Sequence, residues 1–196
     1  MNIEIRKLTP DLAEDYLHFF DTTPHDDRIE EHRCYCVCWC SDDYEGKDFS
    51  SPVKRREAAG RYVREGILQG YLAYHDGVAV GWCNANTKAD CLLCASWRLF
   101  MRDVPTEEYG TGVRIKSVFC YVIAPAMQRQ GIASQLLARV CRDAAQDGFD
   151  FVEAYPEKVS VDAARDFMGP AEMYQKSGFS VYHETREKLI MRKHLR

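Results

Sequence analysis

No apolar run in this 196-residue chain approaches the ~20 residues that a membrane-crossing helix needs. The opening stretch MNIEIRKLTPDLAEDY carries charges throughout and lacks the apolar core of a signal peptide. Positive charge is also short: 26 Lys and Arg stand against 30 Asp and Glu, a net charge of −4. That balance disfavours a nucleic-acid or anionic-membrane surface. Internal repeats, linkers and low-complexity tracts are missing. The expectation is one soluble, cytoplasmic domain over 1–196, with neither nucleic acid nor membrane as partner. Nine cysteines, an odd number in a mid-sized chain, read as reduced thiols rather than a disulfide framework.

What is present is an alternation of strand and helix signals. Residues 2–8 alternate apolar and polar and predict a strand. Asp11 is placed to cap a helix through Phe20, with Leu12, Tyr16, Leu17 and Phe20 on one face. Periodicity fades over 21–51. Pro52 opens a helix predicted over 52–68. Two β-rich runs, 71–75 and 78–85, flank Asp76-Gly77, a pair suited to a primed hairpin turn. Residues 86–115 are irregular. SVFCYVIA lies in a buried strand over 116–124. The helix after it buries Ala133, Leu136, Leu137, Val140, Cys141 and Ala144 at helical spacing and stops at Gly148. A strand follows at 150–155. A short helix then runs between Pro170 and Gly178, and FSVYHET and KLIMRKH close the chain as strands. The predicted order is β-α-α-β-β-β-α-β-α-β-β.

The junction PAMQRQGIA, 125–133, is the most informative stretch. A strand, a tight turn and a helix that starts on small residues make an anion site. The first helical amides have no internal partner and carry partial positive charge. Small residues let a phosphate approach the backbone. Gln128 and Arg129 can add side-chain donors. The junction has neither the Gly-Lys-Ser/Thr of a P-loop nor G-x-G-x-x-G.

The remaining pattern is Gln128-x-x-Gly131-x-Ala133, preceded by Pro125. It resembles the acetyl-CoA motif of the GNAT N-acetyltransferase superfamily. MYQKSGF, 173–179, is similar to that family's late motif, a Tyr four residues before Gly-Phe. The likeness covers most of 2–8, 52–85 and 116–193. It implies an α/β (α+β) fold of the GNAT type, a central mixed twisted sheet of about seven strands flanked by helices. The family's Asn seven residues before the Tyr is replaced here by Phe167.

The resemblance implies acetyl-CoA as acyl donor and a primary amine, on a small molecule or a protein, as acceptor. It implies that the pantetheine arm enters between splayed strands, here 116–124 and 150–155. Backbone groups of Tyr121, Val122 and Ile123 then meet the pantetheine and polarise the thioester. Gln128, Arg129, Gln130, Gly131, Ile132, Ala133 and Ser134 hold the pyrophosphate. The amine attacks directly, without a protein acyl intermediate, and Tyr174 protonates the leaving thiolate. Glu153 is the candidate base, beside His75 and water-mediated transfer. A homodimer is an expectation at family level only.

Two stretches carry no family motif, 21–51 and 86–115, and are expected to shape the acceptor side. The first holds nine Asp/Glu against three Lys/Arg, a charge excess that can attract a cationic acceptor or simply be solvated. It also holds CYCVCWC. An extended conformation would place Cys34, Cys36, Cys38 and Cys40 on one face and Tyr35, Val37 and Trp39 on the other. The row lacks usual zinc-knuckle spacing, so no metal ligands are assigned. The alternative function is a zinc- or thiol-based sensor on the same scaffold. Cys120, beside the thioester position, reads as a small apolar residue more than as a nucleophile.

Overall fold

The computed structural model describes residues 2–24, 29–40, 46–107, 110–159 and 167–195. Seven strands form one sheet in the order β1-β2-β3-β4-β5-β7-β6. They are β1 (Glu4–Lys7), β2 (Gly70–His75), β3 (Val78–Thr87), β4 (Ile115–Ile123), β5 (Phe151–Ala154), β6 (Ser180–Glu184) and β7 (Leu189–His194). β4 and β5 are parallel, and all other neighbours are antiparallel. The helices are α1 (Ala13–Thr22), α2 (Pro52–Arg64), α3 (Lys88–Cys91), α4 (Ala95–Phe100), α5 (Ile132–Gln146) and α6 (Ala171–Lys176).

The sheet carries a core on each face, because strand side chains alternate. On one face α5 lays Ile132, Leu136, Leu137, Val140, Cys141 and Ala144 over Tyr71, Ala73, Val118, Val152 and Ala154. On the other, α1, α2 and the segment 34–40 cover Leu72, Trp82, Phe119 and Tyr155. Gly81 on β3 makes close packing of α5 feasible: a Cβ there would stand 2.9 Å from Ile123 Cδ1 and 3.2 Å from Ile132 Cγ2.

Several boundaries differ from the sequence expectation. A 3-10 turn, Pro10–Leu12, takes the place of the cap assigned to Asp11. The junction helix begins at Ile132, because Pro125–Met127 first forms its own 3-10 turn. Residues 86–115 hold the end of β3, both α3 and α4, and the start of β4. These helices have four and six residues, too few turns to show a periodic apolar stripe.

The largest correction concerns residues 34–40, which are not extended. Tyr35 and Cys36 take left-handed backbone angles (φ 48° and 54°), and Val37–Trp39 then forms a 3-10 turn. Three residues per turn destroy two-sided alternation, so Tyr35, Cys36, Val37, Trp39 and Cys40 are all buried together.

Candidate active site

β4 and β5 pair from Ile115/Phe151 to Val118/Ala154 and no further. β4 continues to Ile123, so the edge of Phe119–Ile123 opens away from β5. The opening has a local cause. On β3, Asn84 and Ala85 are consecutive, yet they face Cys120 and Val118, which leaves Phe119 as the extra residue of a β-bulge. A bulge bends its strand and sharpens its twist.

At the far end of that edge the chain turns into α5. Arg129 and Gly131 both have positive φ (58° and 77°). The left-handed Gly131 serves as N-cap without a side-chain bond, and its carbonyl accepts from the Gln135 amide at 3.1 Å. The amides of Ile132, Ala133 and Ser134 therefore precede the first intrahelical donor. No backbone carbonyl among the described residues accepts from Arg129 or Gln130 either. A Cβ added at Gly131 would meet nothing within 4 Å, so the cradle is open. Such a nest, at the positive end of a 15-residue helix, suits a diphosphate. Gln128 and Gln130 turn inward instead: their Nε2 atoms donate to Ile123 O (3.3 Å) and Ala126 O (3.0 Å), tightening the turn.

Tyr121 and Tyr174 meet in the same core, below α5. Tyr121 N–H donates to Phe167 O at 2.7 Å. Tyr174 is fully buried, its ring packs edge-on against Phe179, and its hydroxyl donates to Met168 O at 2.5 Å. Burial pushes the Tyr121 phenol well above its ordinary range, with the neighbouring Tyr174 adding to it.

Glu153 lies elsewhere. It is fully buried on the opposite face, level with Ser117 in the paired part of β4 and β5. Lys88 Nζ stands 2.9 Å from its Oε1, Tyr155 Oη donates to Oε1 at 2.8 Å, and Arg192 Nε donates to Oε2. Tyr155 spends its one proton on Glu153, so Ser117 Oγ, 2.5 Å away, donates to the Tyr155 oxygen. Lys88 also donates to Pro105 O at 2.7 Å, which ties the 86–115 segment to the sheet. Sequence reading missed Lys88, Arg192 and Ser117 as partners; a lysine opening a four-residue helix gives no periodic signal.

An aromatic wall stands over the bulge. Trp39 stacks on Phe119 (4.8 Å, 12°) and Phe119 on Tyr155 (5.6 Å, 10°), while Trp97 meets both edge-on at 6.1 Å. Trp39 comes from 21–51 and Trp97 from 86–115, so both unassigned stretches converge on β4. Residues 25–28 and 41–45, which carry part of the acidic excess, lie outside the described residues. His75 sits at the turn end of β2, bonded through Nδ1 to Asn2 O at 3.2 Å, and joins neither group. Among the described residues no group of three or more His, Cys, Asp or Glu is placed to hold a metal ion. None of the described helices is long and apolar enough to cross a membrane.

Comparison with known proteins identifies the family and the fold. The family model described as acetyltransferase (GNAT) family matches residues 37–179. The chain belongs to that family, and is by membership an acetyltransferase whose acyl donor is acetyl-CoA. Among solved structures, an N-acetyltransferase from Staphylococcus aureus Mu50 superposes with a TM-score of 0.57 at 16% identity, over 100% of both chains. The acetyltransferase of GNAT family from Streptococcus pneumoniae gives 0.58, also at 16% and over 100% of both. The PaiA N-acetyltransferase from Thermoplasma acidophilum, solved in complex with coenzyme A, gives 0.54 at 16% over 99% of both. At these identities the likeness is one of fold. No curated protein matches the chain.

Proposed function

We propose that the chain is an acetyl-CoA-dependent N-acetyltransferase that acts on a primary amine of a small molecule or a protein. One observation carries the reading: outward, unpartnered amides from Arg129 to Ser134 stand at the end of a strand edge that opens at a bulge. The diphosphate binds at those amides and the pantetheine follows β4 back toward Phe119. Four residue steps from Ile123 to Phe119 span roughly 13 Å of extended strand, which takes most of the extended arm, the remainder crossing the turn between Ile123 and the helix. The thioester then sits at the bulge.

The Tyr121 amide is engaged by Phe167 O, so a pantetheine that bonds Tyr121 exchanges with that carbonyl. Val122 and Ile123 are half-buried along the same edge. Tyr174 supplies the proton to the departing thiolate, its hydroxyl exchanging Met168 O for the sulfur as the 167–169 segment yields to the pantetheine. The acceptor enters from the side of Trp39 and Trp97, which makes 21–51 and 86–115 the acceptor walls of a single domain.

Glu153 takes a different part from the one expected of it. Two cations and a phenol occupy both of its oxygens, and no solvent reaches it. It anchors the 86–115 segment and leaves the amine's proton to another group. The acceptor is charged in water and loses a proton before attack. In the PaiA neighbour a bound coenzyme A accompanies the same fold, which supports the donor assigned here. The test is release of free CoA thiol from acetyl-CoA across a panel of polyamines, aminoglycosides and lysine peptides. Turnover of at least one amine supports the reading. Absence of acetyl-CoA binding at millimolar concentration removes it.

A further inference from the structure

The acceptor face of β3 carries a row of buried polar atoms that the transfer described above does not use. Among the described residues, five buried side-chain nitrogen or oxygen atoms have no hydrogen-bond partner, and three of them belong to this one strand: Trp82 Nε1, Asn84 Oδ1 and Asn86 Nδ2. Residues two apart on a strand share a face, so a donor, an acceptor and a donor stand in line. Trp82 and Asn84 are fully buried, and Asn86 is 2% exposed. Trp82 belongs to the core under α1, α2 and residues 34–40, away from α5. Across the ladder Trp82 faces Val122, Asn84 faces Cys120 and Asn86 faces Ser117. The row therefore runs alongside β4, and Asn84 stands level with the bulge where the thioester is read.

A buried amide oxygen without a partner is costly, because its water is lost and nothing replaces it. Three such atoms in line on one strand mark groups kept for a partner that arrives later. The remaining contact at Asn84 is weak: its Nδ2 donates to Cys36 Sγ at 3.7 Å. Cys36 belongs to the cover over this face. That cover turns on two consecutive non-glycine residues in the left-handed region, Tyr35 and Cys36, a conformation such residues hold only at a cost. The strained cover is the part of the acceptor face that yields most readily.

We propose that Asn84 binds the acceptor amine, and that Trp82 and Asn86 select amines that carry oxygen atoms close to the nitrogen. The inference rests on the acetyl-CoA reading above and keeps its direct attack. As residues 34–40 give way, Asn84 Oδ1 accepts one N–H of the amine and leaves the nitrogen lone pair free for the thioester carbon at the bulge. An amide oxygen takes up no proton, so Asn84 orients the nucleophile and does not serve as its base. Trp82 Nε1 and Asn86 Nδ2 donate to hydroxyl or carbonyl oxygens on either side of that nitrogen. Amino sugars, amino alcohols and the first residues of a peptide present this pattern. A plain polyamine does not, because its nitrogens are protonated in water and only donate. Burial also favours the neutral amine, the form that attacks, over the ammonium.

The experiment compares the parent with Asn84→Leu, an apolar side chain of similar size. Both are followed by thermal melting, by calorimetry with acetyl-CoA, and by release of CoA thiol with glucosamine, ethanolamine, a dipeptide, putrescine and spermidine. Removal of the unpartnered oxygen should raise the melting temperature by about 2–4 °C and leave acetyl-CoA affinity unchanged. The KM of the oxygen-bearing amine should rise roughly 10- to 100-fold. A residue that only packs does not gain stability and lose substrate together. A lowered melting temperature overturns the proposal, since Asn84 is then satisfied in the free protein; an unchanged KM does the same. A parent that binds acetyl-CoA but acetylates only the polyamines, or nothing in the panel, also overturns it and leaves the acetyl-CoA reading intact. Absence of acetyl-CoA binding removes both. If Asn84→Leu does not fold, Asn84→Ser carries the kinetic arm: its shorter side chain must raise the same KM at unchanged acetyl-CoA affinity, and an unaltered KM decides against the assignment.

Discussion

The amide of Tyr121 on β4 donates to the carbonyl of Phe167 at 2.7 Å, which fastens the start of the α6 segment to the open strand edge. Two residues on, Gly169 holds a φ of +81°, and a Cβ there would lie 2.8 Å from Met173 Cε and 3.3 Å from Tyr121 Cε2. Gly169→Ala therefore carries both left-handed strain, about 1–2 kcal/mol, and a contact that must be relieved. Thermal or urea denaturation should show a loss of at least ~1 kcal/mol. A neutral substitution would mean that this segment is not packed as described.

Glu153 should matter for stability more than for chemistry. Glu153→Gln leaves Lys88 and Arg192 buried without their shared anion, and breaking a buried pair in this way costs about 3–5 kcal/mol. Combining it with Lys88→Met should recover part of the loss, since one stranded cation is then removed. A Glu153→Gln protein of unchanged stability, but with an altered pH-rate profile, would restore the carboxylate as a base.

Lys116 offers a test by pH. It is buried at the start of β4 over the Phe149 ring, and burial, then the charge of Lys7, bring it down to about 8. The unfolded chain keeps this proton to a pH near 10.4. Between those limits the unfolded state binds more protons, so the contribution of Lys116 to stability rises with pH. Below pH 8 the full penalty applies, on the order of 3 kcal/mol. Lys116→Met should be more stable than the parent at pH 7, with the advantage fading toward pH 10. An advantage that does not change with pH would contradict the assignment.

Tyr174→Phe removes the hydroxyl that donates to Met168 O. If that hydroxyl protonates the departing thiolate, CoA release should fall by roughly 10²–10⁴. Acetyl-CoA affinity should change little, because the phosphate nest is untouched. Equal loss of affinity and rate would mark Tyr174 as packing alone.

The sequence displayed what depends on local pattern. The α5 stripe, the Asp76-Gly77 hairpin and the glycine cradle at 131 all follow from spacing or from one residue's backbone freedom. Long-range partners were not legible. Nothing near Glu153 in the chain announces Lys88 or Arg192, 65 and 39 residues away. The cysteine row misleads for a different reason: alternation in sequence suggests an extended segment, and the left-handed pair Tyr35-Cys36 leads into a 3-10 turn instead. The bulge at Phe119 is a register property of two strands, so neither strand alone could reveal it.

The most direct test of the account is a calorimetric titration of acetyl-CoA into the parent protein and into Ser134→Asp, with thermal melting of both. Ser134 is exposed in the first turn of α5. An aspartate there complements the helix dipole and should stabilise the fold by about 0.3–1 kcal/mol. The same charge faces the diphosphate and should weaken acetyl-CoA binding by at least roughly tenfold. A rise in melting temperature together with a loss of affinity is the predicted result. Undiminished affinity in a folded Ser134→Asp protein would show that the cofactor's phosphates lie somewhere other than the head of α5.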